Sequence, residues 1–251
     1  MKFKFKIQPF QTEAAESIVK VFSGQPKQGI TKYRRDIGKQ EAQISLDEQE
    51  TDFETGYRNA EVELTKEQLL KNICRVQTAN NITNSTALEE GLGVVSLDVE
   101  METGTGKTYV YIKTMFELYQ TYGWSKFIVV VPSIAIREGV KKSFETTQDH
   151  FMELYSIKAR FFVYNSSNLH QLDEYSQNAG INVMIINTQA FNTTMNEEKN
   201  VEGRSGNEAA RIIYTKRDEF GSRRPIDVIK ANRPIIILDE PQKMGGAATQ
   251  N

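Results

Sequence analysis

Residues Val94–Thr108 read VVSLDVEMETGTGKT, an apolar run that breaks into a glycine-spaced loop and ends in Lys107-Thr108. Val94, Val95, Leu97 and Val99 predict a buried strand. Gly104 and Gly106 let the backbone turn tightly, so that successive N–H groups point at one spot. Downstream, Tyr111, Met115 and Leu118 recur at helical spacing, as do Ile112, Phe116 and Tyr119, which predicts a helix over Tyr109–Tyr122. Strand, glycine loop, Lys-Thr and helix form the context in which such a loop cradles phosphates. On that reading Thr103, Gly104, Thr105 and Gly106 bind the phosphates with their amides. Lys107 reaches the outer phosphates, and the Thr108 hydroxyl is left for Mg²⁺. The full pattern G-x-x-x-x-G-K-S/T would place glycine at position 101, where this chain has Met101.

A second acidic motif lies far downstream. Pro234–Leu238 is a bare apolar strand that runs into Asp239-Glu240-Pro241-Gln242. A phosphate loop needs a partner for its magnesium and a group to position the attacking water. Asp239 suits the first role and Glu240 the second. Between the two motifs the rhythm is strand–helix–strand. Phe127–Val131 is an apolar strand stopped by Pro132, and Ser133 stands at a helix cap before Ile134, Ile136, Val140 and Phe144. Arg160–Tyr164 and Val183–Ile186 give two more strands, the latter leading into Asn187-Thr188-Gln189. Residues 193–224 are polar, with a short helical stretch around Asn207–Tyr214. The alternation predicts an α/β fold with a mostly parallel sheet and helices on both faces. In such a sheet the loops after the strands share one edge, so Lys107 and Asp239 are expected to converge.

The N-terminal half divides into three stretches. In residues 1–24, Phe3, Phe5 and Ile7 alternate with lysines as in a half-buried strand. Pro9 then opens a helix with Phe10, Ala14, Ile18, Val21 and Phe22 on one stripe. Gln11 sits in its first turn, and an amide there can pair with both N6 and N7 of an adenine. Residues 25–64 are charged, sparse in apolar side chains and aperiodic, which reads as a flexible insertion holding at most a short strand pair. From residue 65 to 251 runs the main domain, opened by the capping box Thr65-Lys66-Glu67-Gln68 ahead of Leu69, Leu70, Ile73 and Val76.

Composition narrows the classes. The chain has 251 residues and a formal net charge of −2, so no overall basic field draws it to nucleic acid, though a local groove still can. One cysteine, Cys74, and two histidines, His150 and His170, leave no disulfide framework and no zinc pattern. The first residues lack the apolar core of a signal peptide, and no apolar run reaches membrane-spanning length. The expectation is a cytoplasmic protein with no membrane partner.

Taken together, Gln11, Met101–Thr108, Val131–Val140 (VPSIAIREGV), Met184–Phe191 (MIINTQAF) and DEPQ at Asp239–Gln242 resemble one family. It is the Res subunit of type III restriction enzymes, within helicase superfamily two, whose motors often lack the first loop glycine. DEPQ in place of DEAD or DEAH, with METGTGKT and AIREG, carries the likeness, which covers most of the chain outside residues 25–64 and 193–224. The resemblance implies a RecA-like P-loop lobe. It implies that Gln11 reads the adenine edge, that Lys107, Glu240 and Gln242 serve catalysis, and that Thr108 and Asp239 serve the metal. Gln242 would sense the terminal phosphate. Ser133, Arg137 and Thr188 would meet the DNA backbone. ATP and Mg²⁺ are the implied cofactors. Duplex DNA and a methyltransferase (modification) subunit are the implied partners.

In the family a Ser-Ala-Thr segment, a second RecA-like lobe with an arginine finger, and a nuclease domain come later than residue 251. The chain is therefore expected to be the first motor lobe. It would bind Mg·ATP, hydrolyse it slowly and leave DNA uncut. Two other readings predict the same lobe: a stand-alone superfamily-two DNA or RNA helicase, and a nucleotide-gated binding module without hydrolysis.

Overall fold

A computed structural model describes residues 5–38, 55–89, 93–190 and 213–244. The chain resolves into two compact units: Met1–Gly29, Ala60–Trp124 and Thr146–Lys158 form the first, Ile30–Asn59, Ser125–Glu145 and Ala159–Asn251 the second. These units cut across the three stretches read from the sequence.

The first unit is helical. Helix α1, Pro9–Val21, starts with proline at its first position, where the missing N–H costs nothing. Helix α2, Lys66–Ala79, is opened by the predicted capping box: Thr65 accepts from Gln68 N, and the Gln68 side chain accepts from Thr65 N. Helix α3, Lys107–Tyr122, is closed by left-handed Gly123. Buried Asn72 of α2 donates to Val21 O at 3.0 Å and Ser23 O at 2.9 Å, satisfying carbonyls at the end of α1. Tyr122 adds a bond to Val19 O at 2.9 Å. The stripe of α1 differs from the predicted one at Phe10, which is 46% exposed, while Ala15, Val21 and Phe22 carry the burial. Residues 5–8 precede α1 without forming a strand, and Phe3 lies outside the described residues.

The second unit holds a parallel sheet of four strands. They are β3 (Lys126–Val131), β4 (Arg160–Val163), β5 (Asn182–Asn187) and β6 (Ile235–Leu238), in the order β4-β5-β3-β6. Every residue of β3 is buried, as an interior parallel strand covered on both faces requires. Helix α4, Ile134–Tyr155, follows β3 and gives its first part to this unit and its last part to the first. Helices α5, His170–Gln177, and α6, Pro225–Ala231, precede β5 and β6. Ile128, Val130, Met184 and Ile186 of the sheet pack with Leu172, Tyr175, Phe220 and Ile229 in one apolar cluster.

One expectation needs correction. Val94–Val99 does not form a buried strand: Val94 is 54% and Val99 45% exposed, and the segment pairs with no strand among the described residues. An apolar run has strand propensity, but without a neighbouring ladder its N–H and C=O groups stay with water. In the stretch 25–64 the described residues include two short strands. Strands β1 (Thr31–Arg34) and β2 (Thr55–Arg58) pair antiparallel, so the short strand pair exists. Asn59, at 3% exposure, fastens the hairpin to the sheet. Its Oδ1 accepts from Ser125 N at 2.8 Å and Lys126 N at 2.9 Å, and its Nδ2 donates to Lys126 O at 2.8 Å. Arg35 and Arg223 both donate to Asp173 Oδ1 at 2.8 Å, tying the hairpin to α5. The hairpin tip and most of the predicted helical stretch at 207–214 lie outside the described residues.

Lys126 is wholly buried, with its ammonium bonded to Tyr175 O and Asn178 O. Burial pushes its pKa from the ordinary 10.5 down to about 7. Between these values the unfolded chain binds a proton that the folded chain does not, so stability rises with pH across that window. Below it both states hold the proton and the contribution is flat. Urea unfolding of the wild type should therefore strengthen from pH 7 to 9.5, by up to about 1.4 kcal/mol per pH unit, and Lys126→Met should lose most of that slope. Asn59→Ala should cost roughly 2–4 kcal/mol at any pH in the same assay, because two buried N–H groups and a carbonyl lose their partner.

Candidate nucleotide site and acidic turn

The glycine loop turns where the sequence predicts. Thr105 closes it by donating from its hydroxyl to Glu102 O at 2.6 Å. Gly106 then caps α3 in the left-handed region, with φ 91° and ψ 39°. A side chain there is strained by the backbone, and a Cβ would also lie 2.6 Å from Gln11 Nε2. Lys107 and Thr108 are the first two residues of α3, and Val110 N makes a helical bond back to Gly106 O at 3.0 Å. The amides ahead of Val110 precede the helical ladder, which is the arrangement that binds anions. Thr103 and Gly104 form the exposed crest of the loop.

Gln11 reaches this loop across 94 residues of sequence, donating from Nε2 to Thr105 O at 2.8 Å. That bond commits one amide proton and orients the rest of the Gln11 amide beside the loop. Of the residues predicted for the nucleotide, the structure thus brings Gln11, Thr105 and Gly106 together with the start of α3.

The acidic turn belongs to the second unit. Asp239 N continues the ladder to Val130 O at 2.9 Å, so this residue stands at the carboxyl end of β6. Glu240 follows in the left-handed region at φ 57° and ψ 55°, a conformation uncommon for a residue with a γ-carbon and frequent at functional sites. One of its oxygens, Oε2, accepts from Gln242 Nε2 at 2.6 Å and lies 3.3 Å from Lys243 Nζ. Gln242 is therefore in direct hydrogen-bond contact with the carboxylate next to Asp239. Lys243 was not singled out from the sequence, since a lysine after DEPQ carries no pattern of its own.

The predicted backbone-contact residues lie at the same sheet edge. Val131 pairs with Asn187, and Val130 with Leu238, so Thr188 and Asp239 emerge on either side of the end of β3. With strands about 4.8 Å apart, those two chain positions stand roughly 10 Å from one another. Ser133 caps α4, its Oγ accepting from Ile136 N at 3.3 Å. Arg137 donates to Asn187 Oδ1 at 3.4 Å and to Glu138 Oε1 at 3.2 and 3.0 Å. Glu138 thus offsets part of its charge, and Asn187 enters the cluster unforeseen because nothing in MIINTQAF marks it apart from its neighbours.

A family model described as "Type III restriction enzyme, res subunit" matches residues 4–247. The chain is 31% identical over 202 residues to the Res subunit of the type III restriction-modification enzyme EcoP15I of Escherichia coli, covering 74% of this chain and 19% of that protein. It is 32% identical over 197 residues to the EcoPI Res subunit of Escherichia phage P1, with the same coverage of 74% and 19%. The StyLTI Res subunit of Salmonella typhimurium matches at 32% over 182 residues, 65% of this chain and 17% of its own length. The chain thus spans about a fifth of the length of these curated relatives. Its parallel sheet with flanking helices is that of a RecA-like domain, and the chain belongs to the family of type III restriction enzyme Res subunits.

Proposed function

We propose that this chain is the Mg·ATP-binding first motor lobe of an ATP-dependent, DNA-translocating type III restriction endonuclease subunit, working in the cytoplasm. The observation that supports this most is the Gln11 amide bonded to Thr105 O beside left-handed Gly106 at the head of α3. It sets an adenine-reading side chain next to a run of amides suited to phosphates. Lys107 would bind the outer phosphates, Thr108 and Asp239 would hold the metal, and Glu240 would orient the attacking water. Gln242, bonded to Glu240, relays the state of the terminal phosphate to that carboxylate. The bound Mg²⁺ supplies charge neutralisation on the phosphate oxygens. Ser133, Arg137 and Thr188 hold the backbone of duplex DNA, which positions the track without reading its sequence. A methyltransferase subunit of the same system recognises the target.

A motor lobe acting without its arginine finger forfeits about 10³–10⁵ in turnover. The chain alone should bind Mg·ATP and hydrolyse it slowly, with and without duplex DNA, and should leave the DNA intact. Steady-state phosphate release and a supercoiled-plasmid assay check this; turnover like that of an intact motor, or cut plasmid, would refute it. Lys107→Ala should weaken binding of a fluorescent ATP analogue by at least roughly tenfold, the loss of one charge-assisted contact. Glu240→Gln should bind as the wild type does while its residual turnover falls by roughly 10²-fold or more. Equal turnover in Glu240→Gln and wild type would remove Glu240 from the mechanism.

A further inference from the structure

His150 has no part in the motifs above, yet it contacts the helix that carries two of their residues. We infer that His150 is a positioning residue for the phosphate loop, acting through Tyr109. The inference rests on the nucleotide reading of that loop and adds a residue to it from a separate helix.

Tyr109 directly follows Lys107 and Thr108 in the first turn of α3. At 100° per residue it points about 200° around the helix from Lys107, away from the phosphate side. Whatever anchors Tyr109 therefore sets the rotation of the turn that presents Lys107 and Thr108. The anchor is specific: the Tyr109 hydroxyl and His150 Nε2 are 2.9 Å apart. Burial raises the pKa of the Tyr109 phenol, so it keeps its proton and donates. Burial lowers that of His150 against an opposing pull from Glu153, with Lys113 adding to the lowering, so the ring is neutral near pH 7, and the tautomer with its proton on Nδ1 accepts the phenol's proton at Nε2.

Rings surround this bond. Tyr109 stacks on Phe151 with centroids 5.1 Å apart and on Phe5 at 6.3 Å, and Phe5 meets His150 at 5.1 Å. Phe5 lies on the segment that leads to Gln11, whose amide grips Thr105 O. The N-terminal segment is thus held at two places, once on the loop and once on the ring cluster behind it. Farther along α3, Lys113 donates to the Tyr155 hydroxyl at 2.8 Å and to Glu117 at 3.1 Å. Tyr155 in turn donates to Glu117 at 2.7 Å, so the end of α4 grips α3 at a second level. That second grip keeps the helices docked when the first is cut. Losing the Tyr109–His150 bond should loosen only the leading turn, where helical hydrogen bonds are incomplete.

Nucleotide affinity and stability can be read separately on this chain. Tyr109→Phe deletes the hydroxyl and retains the ring, His150→Ala deletes the acceptor, and His150→Gln restores a side chain able to meet the phenol. Each is titrated with N-methylanthraniloyl-ATP in Mg²⁺, and its unfolding midpoint is taken without nucleotide. Tyr109→Phe and His150→Ala should each weaken binding about 3- to 10-fold, the effect of one hydrogen bond. The double variant should be no worse than either single one, His150→Gln should recover most of the loss, and the nucleotide-free midpoint of Tyr109→Phe should stay within about 2 °C of wild type. Unchanged affinity in both single variants overturns the inference while leaving the nucleotide reading intact. So does a loss matched by a fall in the nucleotide-free midpoint and not recovered by Gln. A wild-type chain that fails to bind the probe overturns the nucleotide reading, and the role of His150 with it.

Discussion

Parallel pairing along β3 is the constraint on which the second unit depends. β3 bonds β5 on one side and β6 on the other in the same direction. Each return to the start of a new strand must then cross over a face, and helices such as α4, α5 and α6 make those crossings. The interior strand is covered above and below, which is why KFIVVV tolerates no exposed residue. The same rule puts every strand's carboxyl end on one edge. Ser133, Thr188 and Asp239 are neighbours because of strand direction, though more than a hundred residues separate the first from the last. The candidate site residues of this unit gather on that edge, and fastening lies on the opposite one, where Asn59 holds Ser125 and Lys126.

Elements that need only their own residues were the legible ones. β3, β5 and β6 are apolar runs bounded by breakers. α2 carries its own cap, and α3 its own glycine at either end. Elements that need a partner were not. VVSLDV has the composition of a strand, but a ladder requires a second chain segment that the run itself does not encode. Phe10 fits the stripe of α1 by spacing and is nonetheless exposed, because spacing says which residues share a face and not whether that face is covered. Lys126, one residue ahead of the strand predicted at Phe127–Val131, is the first residue of β3 and wholly buried, its ammonium met by carbonyls from α5 and the residue after it.

The candidate site divides along the same line. The glycine loop, Asp239 and Glu240 could be named from pattern because phosphate and metal chemistry demand those residue types at short spacing. Gln11 could be named only beside the loop, and its bond to Thr105 is the long-range contact that pairs them. Asn187, Lys243 and His150 could not be named. Each touches another side chain, and such pairings are set by tertiary packing, which leaves no periodicity to read. The hairpin root makes the point with charge: Arg35 and Arg223 lie far apart in the sequence, yet both converge on Asp173.

β6 has one further consequence. Among the described residues it pairs only with β3, and Ile236 and Leu238 on one of its faces are 43% and 45% exposed. Ile235–Leu238 carries no lysine or proline, the residues that commonly blunt the edge of a sheet. A further strand laid beside it would lengthen the sheet and shelter both of those side chains together.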